Sequence, residues 1–341
     1  MGYRQKGQAI PYFCRRKRAE LDKSGISMHN APMSHAQNAA PQLNEAASSY
    51  FVRSYAKINL TLDVLGKRAD GYHELVTVMQ TVDLYDTLCL TITEEDGVRV
   101  ICSRPELSNE ENLVVRAAQA MRRSFSLTQG LIIELYKRIP VAAGLGGGSS
   151  NAAAVLLALQ QWWRLPLSLP DMLAMAASLG SDVPFFLRGG LAVCEGRGER
   201  ITPLAPHWPT SMRWLLLLKP ALGVSTATVF HSLPASDYTD GTCSQAVCTA
   251  LAAKGELHLE HLHNSLARGV LELYPEVAEA REALLRAGAP CVRLSGSGPT
   301  LFAPFSLLDT ATRVQQQLHA QGYEVYLTCT IHPNGVDVTF F

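Results

Sequence analysis

Neither a net charge nor a long apolar run is present in this sequence of 341 residues. The 30 basic and 30 acidic residues cancel, so no global field favours a nucleic acid or an anionic membrane as a partner. The longest apolar stretches, 152–159 and 214–218, are far too short to cross a bilayer. The composition, with 47% hydrophobic residues, is that of a globular protein with room for two domains.

Cysteine motifs for metal binding are also missing. The eight cysteines include no C-x-x-C pair, and Cys243 and Cys248 have no second pair with which to form a zinc site. The histidines of the polar stretch 258–264 are interpreted as solvated side chains rather than metal ligands. We therefore predict free thiols in a reducing, cytoplasmic setting and assign no metal-ligating residue.

The first 49 residues differ from the rest of the chain. They are rich in Gln, Asn, Ser and Ala, carry the basic run 14–18 and show no sustained periodicity, which predicts a disordered extension. They have no apolar segment of the kind found in secretory signals. A transit peptide and a true start at Met28 or Met33 are alternative interpretations of the same stretch.

Regular patterns begin at Tyr50. Period-two alternation predicts strands at 50–66, 81–92, 131–139, 214–220 and 323–331, with short ones in 291–296 and 300–305. Helical spacing and stop signals predict helices over 112–125, 152–163, 170–180, 246–253, 275–287 and 308–321. Together they predict an α+β fold with mostly antiparallel sheet, divided by the prolines of 203–210 into domains at 50–203 and 204–341.

A glycine-rich loop lies in the stretch 140–153, between a predicted strand and a predicted helix. Unpaired backbone N–H groups and the positive end of the helix dipole meet at a helix start, and the missing side chains let the backbone wrap closely around an anion. A phosphate group is the natural ligand. A Walker A loop would need Lys where Ser149 stands, and the dinucleotide fingerprint would need Gly there, so neither motif fits.

The loop resembles the phosphate loop of the GHMP kinases, which has the form Pro-x-x-x-Gly-Leu-Gly-x-Gly-Ser-Ser. This resemblance implies an α+β fold of two domains, an N-terminal ribosomal-S5-like nucleotide-binding domain and a C-terminal ferredoxin-like domain. It implies transfer of the γ-phosphate of ATP to an alcohol by a monomer or weak homodimer, with Mg²⁺ carried on ATP. The family-like stretches, in the family's order, are 56–86, 112–118, 137–153, 179–199, 219–230 and 294–303.

Within that family, the same stretches resemble the branch that phosphorylates the 2-hydroxyl of CDP-linked methylerythritol. The resemblance implies that Asp182 takes the hydroxyl proton and that Lys57 stabilises the developing charge. It assigns to ATP the residues Pro140, Val141, Ala142, Ala143, Gly144, Leu145, Gly146, Gly147, Gly148, Ser149, Ser150, Asn112, Leu113 and Lys137. It assigns to the acceptor the residues Asn59, Tyr72, His73, Thr226, Phe230, Gly296 and Ser297.

For the cytosine, the resemblance implies a sandwich between Tyr72 and Phe230, with His73 bonded to the polar edge of the base. Taken by themselves, Lys57 and Lys137 could equally be solvated surface lysines. Another GHMP kinase, acting on mevalonate or homoserine, and a nucleotide-binding regulator without chemistry are the alternative functions. The aromatic sandwich argues against the first, because an acceptor without a base has no use for it, and the Lys–Asp pair argues against the second.

Overall fold

A computed structural model describes residues 49–205, 208–331 and 336–340 of the chain. The extension predicted over 1–49 lies outside the described residues, except for Ser49, which begins the first strand. The described residues all belong to one compact unit, and the domain boundary after residue 203 stays a prediction. In the described part of the chain, no helix combines the length and the apolar character needed to span a membrane.

Eleven strands and nine α-helices are found in the described residues. The strands are β1 (Ser49–Lys67), β2 (His73–Thr93), β3 (Val98–Cys102), β4 (Gly130–Tyr136), β5 (Leu191–Gly196), β6 (Arg200–Pro203), β7 (Trp214–Lys219), β8 (Arg293–Leu294), β9 (Leu301–Phe305), β10 (Glu324–Thr328) and β11 (Val336–Phe340). The helices are α1 (Leu113–Ser124), α2 (Gly147–Trp162), α3 (Leu169–Leu179), α4 (Val183–Arg188), α5 (Thr226–Ser232), α6 (Thr242–Ala252), α7 (Ala267–Leu273), α8 (Pro275–Arg286) and α9 (Leu308–Ala320).

The larger sheet has seven strands and is built on the long hairpin of β1 and β2. Its order is β11-β1-β2-β4-β3, while β5 pairs with another part of β2 and carries β6 at its side. Helix α2 packs against β1 and against α1 and α4. Its alanines, including Ala152, Ala153 and Ala154, are fully buried, which allows a close approach of the helix to the sheet. The glycine loop is thereby held beside the middle of β1.

The smaller sheet has four antiparallel strands in the order β10-β7-β9-β8. Both sheets share a buried cluster in which Ile58 and Leu60 of β1 contact a core containing Leu215, Leu217 and Phe302. Among the described strand pairs, only β3 and β4 run parallel, which confirms the α+β fold with mostly antiparallel sheet. The two sheets are therefore fixed against each other by apolar side chains near the glycine loop.

Several predicted element bounds were wrong. Helix α2 begins at Gly147 rather than at residue 152, because the first turn is held by tertiary contacts that outweigh the poor helix propensity of glycine. Strand β2 begins at His73 rather than at 81. Strands β3, β5, β6 and β11 and helices α4, α5 and α7 were missed, since each is seven residues or shorter and gives little periodic signal.

Candidate active site

The glycine loop ends in an uncapped helix start. Gly146 occupies the N-cap position of α2 with a left-handed φ of 70° and offers no side chain to cap the helix. The backbone N–H groups of Gly147, Gly148 and Ser149 therefore have no partner within the helix. They join the positive end of the helix dipole, an arrangement that favours a bound phosphate.

The glycines are required because the back of the loop is crowded. A Cβ atom on Gly144 would lie 2.3 Å from the carbonyl oxygen of Ser295, and one on Gly146 would lie 2.7 Å from the ring of Phe186. A Cβ atom on Gly148, in contrast, would meet only Leu113, at 3.7 Å. The loop is thus packed against the protein on one side and open on the side of Gly148, which is where a phosphate chain can approach.

Lys57 lies on β1 beneath this loop and is 3% exposed, which rules out the alternative of a solvated surface lysine. Its Nζ donates to Asn59 Oδ1 at 2.6 Å and to the carbonyl oxygen of Gly144 at 3.0 Å. It also lies 3.5 Å from Asp182 Oδ2. The ammonium group is thus held by two hydrogen bonds and one ion pair.

Asp182 occupies the N-cap position of α4, but its carboxylate makes no capping hydrogen bond there. Pro184 fixes the first turn of this helix. The Asp182 side chain remains 32% exposed while Lys57 is buried, so the carboxylate faces solvent on one side and the ammonium on the other. The main chain before Asp182 also lies near the loop, since a Cβ atom on Gly180 would be 4.0 Å from Ser149 Oγ.

A second glycine turn supports the loop from the smaller sheet. Ser295 Oγ donates to the carbonyl oxygen of Gly144 at 3.1 Å, and Gly296 approaches Lys57 so closely that a Cβ atom would lie 3.2 Å from Nζ. Asn264, which is buried, donates through Nδ2 to the carbonyl oxygens of Leu294 and Gly296. Asn264 was not predicted as a site residue, because it ends the stretch 258–264, which was interpreted as a run of solvated polar side chains.

An aromatic cluster lies at the start of β2. The ring of His73 packs against Phe230 with 5.3 Å between centroids, and Tyr238 meets it edge-on at 6.0 Å. Tyr72 is 53% exposed, and the guanidinium of Arg197 lies 4.8 Å from its ring centroid. Burial, reinforced by the charges of two neighbouring basic groups, lowers the pKa of His73. A neutral imidazole beside two aromatic faces can both accept and donate a hydrogen bond.

Arg197 is a second residue that sequence analysis missed. It lies in the turn between β5 and β6, next to Gly198, where a Cβ atom would be 3.9 Å from Asp182 Oδ1. The turn therefore contacts the aromatic cluster through the Arg197 side chain and approaches Asp182 through Gly198. The Arg197 guanidinium also lies 3.9 Å from Glu199 Oε1. No sequence motif predicts the position of Arg197, because it depends on the hairpin of β5 and β6, which is too short to show periodicity. Close by, Thr226 and Ser297 share a hydrogen bond of 2.8 Å between their hydroxyls.

The remaining residues assigned to ATP fall into two groups. Val141 and Gly148 are exposed at the mouth of the loop, whereas Ala143, Leu145 and Ser150 are buried. Ser150 Oγ is buried at the helix start and has no hydrogen-bond partner in the described part of the chain. Ala142 belongs with the exposed group and Gly147 with the buried one, while Pro140, Gly144, Gly146 and Ser149 are partly exposed.

Lys137 lies behind the loop rather than on the surface, which rules out the alternative of an exposed lysine. Its side chain is 5% exposed and forms an ion pair with Asp86, which is fully buried. Its Nζ also donates to Asn151 Oδ1 at 3.2 Å. Asn112 accepts from the backbone N–H of Val114 as the N-cap of α1. The assignment of these residues to adenine stays a prediction.

Comparisons with known proteins agree with this geometry. The family model "GHMP kinases N terminal domain" matches residues 112–190, and "GHMP kinases C terminal" matches 250–324. A 4-diphosphocytidyl-2-C-methyl-D-erythritol kinase of Shouchella clausii (strain KSM-K16) is 39% identical over 287 residues, which are 84% of this chain and 96% of the relative. One of Pelotomaculum thermopropionicum (strain DSM 13744 / JCM 10971 / SI) is 41% identical over 280 residues, 82% of this chain and 96% of the relative.

Solved structures show the same likeness. A crystal structure of 4-(cytidine 5'-diphospho)-2C-methyl-D-erythritol kinase is 35% identical, with a TM-score of 0.70 over 82% of this chain and 98% of the other. The homoserine kinase from Cytophaga hutchinsonii ATCC 33406 shares the fold alone, at 19% identity with a TM-score of 0.66 over 87% of this chain and 99% of the other. The chain belongs to the GHMP kinases, in the family of the 4-diphosphocytidyl-2-C-methyl-D-erythritol kinases.

Proposed function

We propose that the protein phosphorylates the 2-hydroxyl of 4-diphosphocytidyl-2-C-methyl-D-erythritol with ATP, giving the 2-phosphate and ADP in the non-mevalonate route to isopentenyl diphosphate. The observation that carries this proposal is the Lys57–Asp182 pair, 3.5 Å apart, beside the open start of α2. The relatives near 40% identity carry the same activity in their names. Mevalonate- and homoserine-type activities are not favoured, because the homoserine kinase shares only the fold.

The phosphates of ATP bind at the N–H groups of Gly147, Gly148 and Ser149, with the γ-phosphate toward Lys57. The acceptor's 2-hydroxyl lies between that phosphate and Asp182. As its oxygen attacks phosphorus, its proton passes to the Asp182 carboxylate, and the bond to the bridging oxygen breaks with its electrons going to ADP. The buried ammonium of Lys57 stabilises the charge on the transferring group, and because it is already fixed by three acceptors it needs no rearrangement.

The other end of the acceptor is recognised by the aromatic cluster. The cytosine lies against Tyr72 and Phe230, and the neutral ring of His73 bonds its polar edge. Arg197, whose guanidinium lies over the Tyr72 ring, offers a positive charge to the diphosphate attached to that base. Asn59 has already used one amide proton and one lone pair on its neighbours, so one of each remains for the acceptor's hydroxyls.

Magnesium is proposed to arrive bound to ATP. The described residues include no group of three or more His, Cys, Asp or Glu side chains that could hold a metal ion. The hydroxyls of Ser149 and Ser150 at the helix start suit an ion that keeps most of its ligands as water and phosphate. When bound, the ion neutralises charge on the phosphate oxygens. We further propose a cytoplasmic monomer or weak homodimer, with domains at 50–203 and 204–341.

The test is ADP release by the full chain with each of three acceptors: the cytidyl substrate, mevalonate and homoserine. We expect release with the first alone, together with a new phosphomonoester signal by ³¹P NMR. Asp182→Asn should lower kcat on the order of 10²–10⁴-fold while the affinity for ATP stays unchanged. Asp309→Asn, at an exposed acid on α9, is the matched control. Full turnover by Asp182→Asn, or preference for another acceptor, contradicts the proposal.

A further inference from the structure

The pairing of β1 with β2 shifts register between Asn59 and Thr61. Asn59 pairs with Met79 and Thr61 pairs with Val78, so Leu60 is left without a partner in β2. Residues two apart in a strand share a face, so Thr77 lies on the same face as Met79 and diagonal to Asn59. Bulges of this kind bend a strand and redirect its side chains, and they are frequent next to active sites.

The Asn59 amide is held from both ends at this bulge. Its Oδ1 accepts from Lys57 Nζ at 2.6 Å, and its Nδ2 donates to Thr77 Oγ1 at 2.8 Å. The Thr77 hydroxyl in turn donates to the carbonyl oxygen of Thr61. All four of these residues are at most 3% exposed, so no water competes for the bonds.

The direction of these bonds follows from chemistry alone. The ammonium group of Lys57 can only donate, so the amide atom that faces it must be the oxygen. The NH₂ group then faces Thr77, whose oxygen must accept, and the Thr77 proton is left for the carbonyl of Thr61. Reversing the amide would place the Asn59 NH₂ group against the Lys57 ammonium. Both groups only donate, so this orientation is excluded.

We propose that Thr77 is a positioning residue for phosphoryl transfer: its hydroxyl fixes the Asn59 amide so that Asn59 Oδ1 holds the Lys57 ammonium against Asp182. Thr77 is fully buried, so it presents no surface for contact with a substrate. Its effect reaches the reaction only through Asn59 and Lys57. The proposal rests on the proposed function for its kinetic consequences but not for its structural one.

The kinetic test replaces Thr77 by Val, which keeps the shape and removes the hydroxyl, and by Ser, which keeps the hydroxyl. We expect Thr77→Val to lower kcat about 10-fold or more, with both KM values within about 3-fold, since displaced catalytic groups lower the rate more than ground-state binding. Thr77→Ser should stay within about 3-fold of the wild type. Thr328→Val, the same change at a buried threonine of β10, is the matched control and should leave kcat unchanged. If Thr77→Val does not fold, Thr77→Ala replaces it.

A double-mutant cycle separates positioning from a general structural effect. If Thr77 acts through Asn59, then adding Thr77→Val to Asn59→Ala should lower kcat no further than about 2-fold. A loss in the double variant equal to the product of the two single losses overturns the proposal. So does wild-type kcat in Thr77→Val.

A readout that needs no turnover distinguishes this proposal from the proposed function. The side-chain amide protons of Asn59, assigned by their absence in Asn59→Ala, should exchange with water slowly in the wild type and in Thr77→Ser. We expect exchange at least about 10-fold faster in Thr77→Val. Equal exchange in all three proteins refutes the positioning role even if the wild type is inactive with every acceptor, while an inactive wild type with the expected exchange pattern refutes only the assigned reaction.

Discussion

Replacement of Lys137 by Met tests whether this lysine supports the glycine loop from behind. Its ammonium contacts Asp86, a fully buried carboxylate that also accepts from the backbone N–H groups of Arg138 and Ile139 and from Asn151 Nδ2 at 2.7, 2.8 and 2.9 Å. Breaking a buried ion pair by removing one partner costs 3–5 kcal/mol. Because three donors remain on Asp86, we expect the lower end, a loss of about 3 kcal/mol in the free energy of unfolding.

The assay is urea denaturation followed by intrinsic fluorescence, with m-values compared to confirm that the same surface is exposed. Lys219→Met is the matched control, since its Nζ makes one hydrogen bond, to the carbonyl oxygen of Leu222, and its loss should cost about 1 kcal/mol or less. Adding Asp86→Asn to Lys137→Met should recover part of the lost stability, because the unpaired charge is gone. A Lys137→Met protein that is as stable as the wild type but has a raised KM for ATP would refute the supporting role and favour contact with adenine.

Three further predictions concern the loop and the acceptor site. Gly144→Ala should lower the free energy of unfolding by more than the roughly 1–2 kcal/mol that a left-handed alanine costs, because its Cβ also collides with Ser295. The control Gly322→Ala has the same backbone strain without a collision. Equal losses of stability in thermal unfolding of the two variants would contradict this. Tyr72→Ala should raise the KM for the acceptor about 5- to 150-fold, the equivalent of one lost stacking contact, and leave the KM for ATP unchanged. Since the pKa of His73 is lowered from 6.5, the KM for the acceptor should stay constant from alkaline pH down to about pH 6.5 and rise only at lower pH. A rise in KM that begins above pH 6.5 would contradict this prediction.

The same pKa shift has a consequence for stability. A histidine whose pKa is lower in the folded protein binds protons first in the unfolded chain, so its contribution is neutral above 6.5 and becomes destabilising as pH falls below that value. His73→Gln should therefore weaken the fall in stability on the acid side of 6.5, measured by urea denaturation across pH. An unchanged pH dependence would show that the ring titrates normally.

Much of the site could be predicted because its chemistry is carried by local sequence. The four glycines in the five positions before Ser149 specify a loop with little room for side chains, and the structure shows why, since side chains at Gly144 and Gly146 would collide with the protein. Lys57 and Asn59 are two residues apart on β1, so their side chains lie on the same face of the strand. These features depend on bond geometry and spacing over a few residues.

Other features could not be predicted, because they depend on which distant segments meet. Arg197 reaches the Tyr72 ring through a hairpin of two short strands, of which β5 pairs with β2, and this pairing has no local signal. Asn264 supports the second glycine turn across 30 residues of chain. Lys137 looks like a surface lysine in sequence, and only the buried carboxylate of Asp86, 51 residues away, turns its ammonium inward.

By itself, the sequence determined the alternation that makes β1, the loop that only glycine can form, and the residue types suited to phosphoryl transfer. The tertiary structure decided that Lys57 is buried, that Asp182 lies 3.5 Å from it, and that the Gly144 carbonyl oxygen of the loop accepts from Lys57 Nζ. The physical reason is one of range. Backbone conformation and strand alternation are set by neighbouring residues, whereas burial and charge pairing arise only when apolar surfaces from distant parts of the chain pack together and exclude water.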